Sequence, residues 1–289
     1  MKIQLPRIAV LSFFLIVSLG STCFYLSRLK MRNPITDIPQ HDRRILENFF
    51  RQMQTRDSMA YVLMGTKPMM LTDFNQLHPE AKNYPHNEIL KKGWLTWKKY
   101  ETRFPHPNFI FRIFGDLNQD EVIDIVLINK KNFKEEFEKY PDEYALLNGN
   151  SKIDLWLQAF EKSLITFSEC FQKNHVLKGI AFGFGKHNAI TFENNSRIFS
   201  ELREKYPNEG PDFIDEKLET SKGRITVTGF MDTNPEAIKQ MILPRCAVVA
   251  EHQETLALQK RYENDREKII GILGQNDFLE AIIGSLTSE

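Results

Sequence analysis

Residues Ile8 to Leu26, IAVLSFFLIVSLGSTCFYL, run for 19 residues without a charge. As a helix rising about 1.5 Å per residue, the run spans roughly 28 Å, close to the hydrocarbon thickness of a bilayer. The hydroxyls of Ser12, Ser18, Ser21 and Thr22 can return to the helix backbone, so they do not forbid insertion. Arg28, Lys30 and Arg32 end the run sharply. The sequence therefore predicts a membrane anchor over residues 1–32, with the membrane as partner through residues 8–26. An uncleaved signal-anchor is the favoured form. A cleaved signal peptide ending at Ser18-Leu19-Gly20 is the alternative, and would leave a secreted or periplasmic chain. A lipoprotein signal at Cys23 fits less well, because Leu19 lies four residues before it and Thr22 directly before it. The short basic tail, Lys2 and Arg7, favours a single pass with the body exported, although the basic residues after the run nearly balance it.

The charge balance excludes one class of partner. The chain has 38 basic and 38 acidic side chains, but residues 1–32 hold five of the bases and no acid. Residues 33–289 are left with 33 bases and 38 acids, a net of −5. Such a body has no global attraction for a phosphate backbone, so nucleic acid is not an expected partner. Three cysteines in 289 residues exclude a disulfide-dense mini-domain. Cys170 and Cys246 are either a disulfide, if exported, or two buried thiols.

Residues 33–41 contain two prolines and no apolar period, and read as a linker. Residues 42–289 read as one globular α+β domain with a small, mostly antiparallel sheet and many helices. Asp42 and Asn87 are expected to cap helices running to about Thr55 and Tyr100. Asn108–Phe114 and Val122–Asn129, joined by an Asp/Asn-rich turn, read as a β-hairpin. Further helices are expected over Asn132–Tyr140, Ser151–Phe171, Asn188–Tyr206, His252–Leu273 and Asp277–Leu286. Strands are expected at Val176–Gly183, Arg224–Phe230 and Cys246–Ala250. The apolar run Tyr61–Met64 reads as a strand or turn. Trp94 and Trp97 are expected in the core, with Lys91, Lys92, Lys98 and Lys99 in water.

Two segments carry recognisable chemistry. Asp116, Asn118, Asp120 and Asp124 place oxygens at positions one, three, five and nine of a calcium loop. The sixth position is Glu121 rather than Gly, and the twelfth is Leu127, so no carboxylate closes the loop. A simple hairpin turn explains the same residues. The second segment, Gly179 to Ala189, is a glycine-rich passage into a helix. Helix N-termini attract anions, so Gly183, Gly185, Lys186, His187 and Asn188, with Lys67, form a candidate anion site. Neither a P-loop nor a dinucleotide fingerprint is complete there, and a tight helix–strand turn is the favoured explanation. No H-E-x-x-H, C-x-x-C or G-x-S-x-G pattern occurs, and the seven histidines never pair at i, i+4 spacing.

Tyr61-Val62-Leu63-Met64-Gly65-Thr66-Lys67-Pro68 resembles a Tyr-x-Leu-x-Gly-(Ser/Thr)-Lys-Pro motif, and Gly183-Phe184-Gly185-Lys186-His187-Asn188-Ala189 a Gly-(Tyr/Phe)-Gly-x-x-Asn-Ala motif. With Ile128-Asn129-Lys130-Lys131-Asn132-Phe133, these segments resemble uncharacterised membrane-anchored or lipoprotein-like proteins of chlamydia-like intracellular bacteria. The resemblance implies no activity and no cofactor. It also implies a variable hairpin turn, which counts against calcium. The function expected from the sequence is binding of an unknown protein partner by a membrane-anchored protein, at the bacterial envelope or a host interface. The alternatives are an enzyme or small-ligand binder around Gly183–Asn188, and a calcium loop at Asp116–Asp124. An enzyme is left open but not favoured.

Overall fold

A computed structural model describes residues 35–75, 84–117, 119–148, 153–165, 169, 171, 174–210, 216–217, 241–244, 246 and 248–288. The chain divides into two units, residues 1–44 and 45–289. In the first, a turn closed by Ile38 N–H on the Ile35 carbonyl leads into helix α1, Gln40–Asp57. That helix continues into the second unit.

Among the described residues, the second unit is built on a three-stranded antiparallel sheet. Its strands are β1 (Met69–Asn75), β2 (Phe109–Phe114) and β3 (Val122–Asn129), in the order β1-β3-β2. The expected hairpin is β2–β3, with Phe111 opposite Leu127. Strand β1 then pairs along the other edge of β3, with Leu71 opposite Val126. Ile123 to Ile128 are buried almost without interruption apart from Asp124, because helices cover both faces. On one face Phe111 meets the rings of Phe49 from α1 and of Trp94 and Trp97 from α3 (Pro85–Tyr100), at 5.3–6.3 Å. The tryptophans are thus core residues, as their spacing requires.

The other face carries Met69, Ile110, Phe114, Val126 and Ile128. It packs on α4 (Lys130–Lys139), α5 (Pro141–Asn148), α6 (Ile153–Glu161) and α7 (His175–Ala181). Phe114 meets Phe160 at 4.8 Å, and Phe133 stacks on Trp156 at 5.0 Å. Among the described residues there follow the long helices α8 (Lys186–Lys205) and α9 (Gln253–Gln275) and the shorter α10 (Phe278–Thr287). Asp277 caps α10 by accepting from Leu279 N and Glu280 N.

Several expectations need correction. Tyr61–Met64 is no strand: Met59–Leu63 forms the short buried helix α2 between α1 and β1. Val176–Gly183 is no strand either, since α7 occupies it and Asn174 caps that helix through Leu177 N. Around Cys246–Ala250 only Val248 makes a bridge, among the described residues. The expected strand over 224–230 lies outside them.

The largest correction concerns the membrane. Among the described residues no single helix is long and apolar enough to cross a bilayer, and residues 8–26 lie outside those described. Helices α9 and α10 reach the needed length and apolarity only when taken together, across a bend of 119°, and both bury apolar residues in the core. The expected transmembrane helix and signal-anchor, the membrane as partner through residues 8–26, and the single-pass placement with exported body therefore have no support in the structure. The expected role as a membrane-anchored binder at the envelope falls with them. What the fold supports is a globular, mostly helical domain on a small antiparallel sheet.

Candidate functional site

The segments Tyr61–Pro68, Asn129–Asn132 and Gly183–Ala189, far apart in sequence, meet at one place. After α2, the chain turns so that Lys67 N–H donates to the Tyr61 carbonyl at 3.1 Å. Asn132 at the start of α4 donates through Nδ2 to the carbonyls of Gly65 (2.9 Å) and Lys67 (3.3 Å). Asn129 donates through Nδ2 to the Val62 carbonyl (3.1 Å) and through its backbone N–H to the Pro68 carbonyl (2.9 Å). From α9, the buried Asp265 accepts from both Thr66 N–H (2.7 Å) and Thr66 Oγ1 (2.6 Å). These polar side chains satisfy a buried turn that has no ladder of its own.

The turn after α7 completes the arrangement. Gly183 sits at φ +76° against Pro68, and its carbonyl accepts from the Tyr262 hydroxyl at 2.6 Å. This presents the rings of Phe182 and Phe184, nearly parallel and 5.7 Å apart. Lys67 Nζ lies 5.6 and 5.7 Å from their centroids and donates to the Met69 carbonyl at 2.6 Å. Lys67 is only 4% exposed and makes no ion pair among the described residues. Burial pulls its ammonium from 10.5 down to about 8, against the opposing effect of Asp57 and Cys246. Two hollows flank the Phe182–Phe184 turn, and Lys67 lines one of them. A cleft of about 200 Å³ is lined by Arg56, Asp57, Ser58, Lys67, Phe182 and Phe184. A mainly apolar cavity of about 330 Å³ lies between Phe182, Phe184, Ala189, Phe192 and Cys246, with His175 and Lys178 in its wall. Phe182 and Phe184 form the partition between the two. A wider groove of about 550 Å³ lies beside Trp94 and Phe109.

The structure separates the anion-site residues into two groups. Lys67 and Gly183 converge on the Phe182–Phe184 turn. Lys186 and His187 belong to the other side of the α8 N-terminus, where Lys186 pairs with Glu143 and the His187 ring stacks on His252 at 3.5 Å. The amides that an anion would use are already donating to Glu254 of α9, Lys186 N–H at 3.1 Å and His187 N–H at 2.7 Å. Glu254 also accepts from the Tyr140 hydroxyl at 2.9 Å. Burial, helped by that carboxylate, pushes the Tyr140 phenol well above its ordinary range. Gly185, at φ +83°, lets the backbone approach Glu254 and Leu258. Asn188 is buried and structural: Nδ2 donates to the Phe184 carbonyl, and Oδ1 accepts from Val249 N–H and Thr255 Oγ1.

At the hairpin, Asp120 Oδ2 folds back onto Asp116 N–H at 2.5 Å, as a self-bonded turn does. Asp124 stands on β3 opposite Asp73, and burial followed by that like charge raises its carboxyl. Asn118 lies outside the described residues. Among the described residues, no three His, Cys, Asp or Glu side chains converge to hold a metal ion. Cys246 is a free thiol, and Cys170 lies outside the described residues.

Sequence reasoning nominated Lys67 but missed Ser58, Asp57, Asp265 and Glu254. Only Ser58 leaves a conformational mark: it is buried in the left-handed region, at φ 59° and ψ 43°. No family model matches the chain, and no curated protein or solved structure matches it. The segment resemblance therefore brings no function to it.

A buried, unpaired ammonium should be a stability liability. Lys67→Met is expected to stabilise the protein at pH 7. A fall from 10.5 to about 8 corresponds to roughly 3 kcal/mol, offset by about 1 kcal/mol for the lost bond to the Met69 carbonyl. The net gain is about 1–2 kcal/mol. Between pH 8 and 10.5 the unfolded chain binds more protons at Lys67 than the folded one. Wild-type stability therefore climbs through that window and the advantage of the variant disappears. Urea denaturation of both proteins at pH 7 and at the top of the window measures this, and a destabilised variant at pH 7 contradicts it.

Proposed function

We propose that this domain binds a small, mainly apolar molecule in the cavity between Phe182, Phe184, Phe192 and Cys246. The cavity itself carries the reading. Its volume of about 330 Å³ falls in the range of small-molecule sites, and its wall is aromatic with few polar groups. Phe182 and Phe184 are held by the Gly183 turn, so two rings are fixed before a ligand arrives. His175 and Lys178 suit a ligand with one anionic end.

An aromatic sulfonate, 1-anilinonaphthalene-8-sulfonate, tests this on the folded protein. Saturable binding of one equivalent is expected, with Cys246→Phe, which fills the cavity, abolishing it while still melting cooperatively. Bound dye should also shield Cys246 from N-ethylmaleimide. That alkylation is expected to be slow even without dye, because burial pushes the thiol up to about 12. Equal binding by wild type and filled variant, or none by either, rejects the cavity as a binding site.

A further inference from the structure

We propose that Lys67 is a reactive amine that condenses with a small carbonyl compound bearing an anionic group, in the cleft between Ser58 and the Phe182–Phe184 turn. This does not depend on the apolar cavity being occupied, and its test does not use that cavity.

Lys67 is an unusual lysine by its contacts. Lys92 and Lys131 stand in solvent beside Glu88 and Glu135, with side chains 63% and 81% exposed. Lys67 is enclosed, with one carbonyl and two aromatic rings around its nitrogen and no carboxylate in ion-pair contact among the described residues. Leucine or methionine there would avoid the desolvation cost. Retaining an amine in such a place is the pattern of a nucleophile. With burial holding the ammonium near 8, about one molecule in ten carries a neutral amine at pH 7, against fewer than about one in a thousand for an ordinary lysine.

The cleft sets the reactant class. Its volume of about 200 Å³ equals that of roughly six or seven waters, which suits a compound of a few heavy atoms. Arg56 lines it and is exposed, so a carboxylate or phosphate can approach a guanidinium there. Asp57 lines it too. Its Oδ2 is buried without a hydrogen-bond partner, and burial raises its carboxyl against the opposing pull of Arg56 and Lys67. The condensation needs no oxidant. The neutral Lys67 nitrogen attacks the carbonyl carbon and a C–N bond forms. The two protons that the nitrogen gives up pass to the former carbonyl oxygen, which leaves as water as the C–O bond breaks, and a C=N bond remains. The Asp57 carboxyl, which lines the same cleft, is placed to relay a proton from the nitrogen to the departing oxygen.

Glyoxylate with sodium cyanoborohydride probes the full-length chain, because hydride reduces the imine to a stable carboxymethyl-lysine that peptide mapping locates. Lys67 is expected to be modified on the order of ten-fold or more faster than Lys92 and Lys131 at pH 7. Its rate should level off above pH 8, where the surface lysines are still accelerating. Arg56→Gln, a change at an exposed position, should slow the glyoxylate reaction at Lys67 but not the reaction with formaldehyde, which carries no anion. Labelling of Lys67 no faster than the two surface lysines overturns the reactive amine. Equal effects of Arg56→Gln on both aldehydes, or none on either, overturn the anionic reactant.

Discussion

Gly183→Ala is expected to lose about 3–5 kcal/mol of stability in urea denaturation, enough to leave much of a marginally stable domain unfolded. The residue has φ +76°, a conformation an alanine adopts only with strain. A Cβ built there would lie 2.4 Å from the Tyr262 hydroxyl oxygen and 2.7 Å from Pro68 Cδ. Neither neighbour is a flexible chain end: one is fixed to a rigid, buried aromatic ring and the other belongs to a pyrrolidine. Overpacking of this kind costs about 1–3 kcal/mol, and displacing Tyr262 also breaks its 2.6 Å bond to the Gly183 carbonyl. Tyr262→Phe removes that bond but opens the space. The double variant should therefore be less destabilised than the sum of the two single changes. Strict additivity, or a loss below about 1 kcal/mol for Gly183→Ala, would show that the turn is not pinned as described. Since the same turn places Phe182 and Phe184, the variant should also lose the fixed wall between cleft and cavity.

Glu254→Ala is the second large effect, at about 2–4 kcal/mol. It leaves the amides of Lys186 and His187 and the Tyr140 hydroxyl without their shared acceptor. Hydrogen bonds to a charged group contribute about 1.5–3 kcal/mol each, though not additively. The substitution has a second consequence. It exposes the α8 N-terminus, with its free N–H groups and positive dipole end, to an outside anion. Inorganic phosphate at a few millimolar should raise the melting temperature of Glu254→Ala and leave wild type unmoved. If phosphate stabilises wild type equally, Glu254 does not close the site. The protein's own carboxylate thus stands where the glycine-rich sequence suggested a bound ligand.

The hairpin was legible because FIFRIF and VIDIVLIN are β-rich runs separated by a turn. Helices α1, α3, α4 and α8–α10 were legible from their apolar stripes, but the caps expected at Asp42 and Asn87 were not, since those residues lie inside helices that begin at Gln40 and Pro85. Helix α7 was misread, since a seven-residue apolar segment such as HVLKGIA has no usable period, and Asn174 beside it was not recognised as its cap. Strand β1 gave no signal of its own. MMLTDFN becomes a strand because β3 offers it an unpaired edge and α3 packs beside it.

The same division holds for the site. Sequence alone determined the local geometry: glycines where φ is positive, asparagines at helix starts, and a lysine in a Gly-Thr-Lys-Pro turn. It also determined the apolar run at residues 8–26, although the described structure supports no membrane role. Only the tertiary structure decided that Thr66 would meet Asp265, 199 residues later, that Glu254 would fill the α8 N-terminus, and that Lys67 would be buried beside two rings with no carboxylate in ion-pair contact among the described residues. Backbone preferences act within a few residues and can be read along a chain. Burial and charge pairing depend on which distant segments exclude water together, and that is fixed only when the sheet and its two helical layers close.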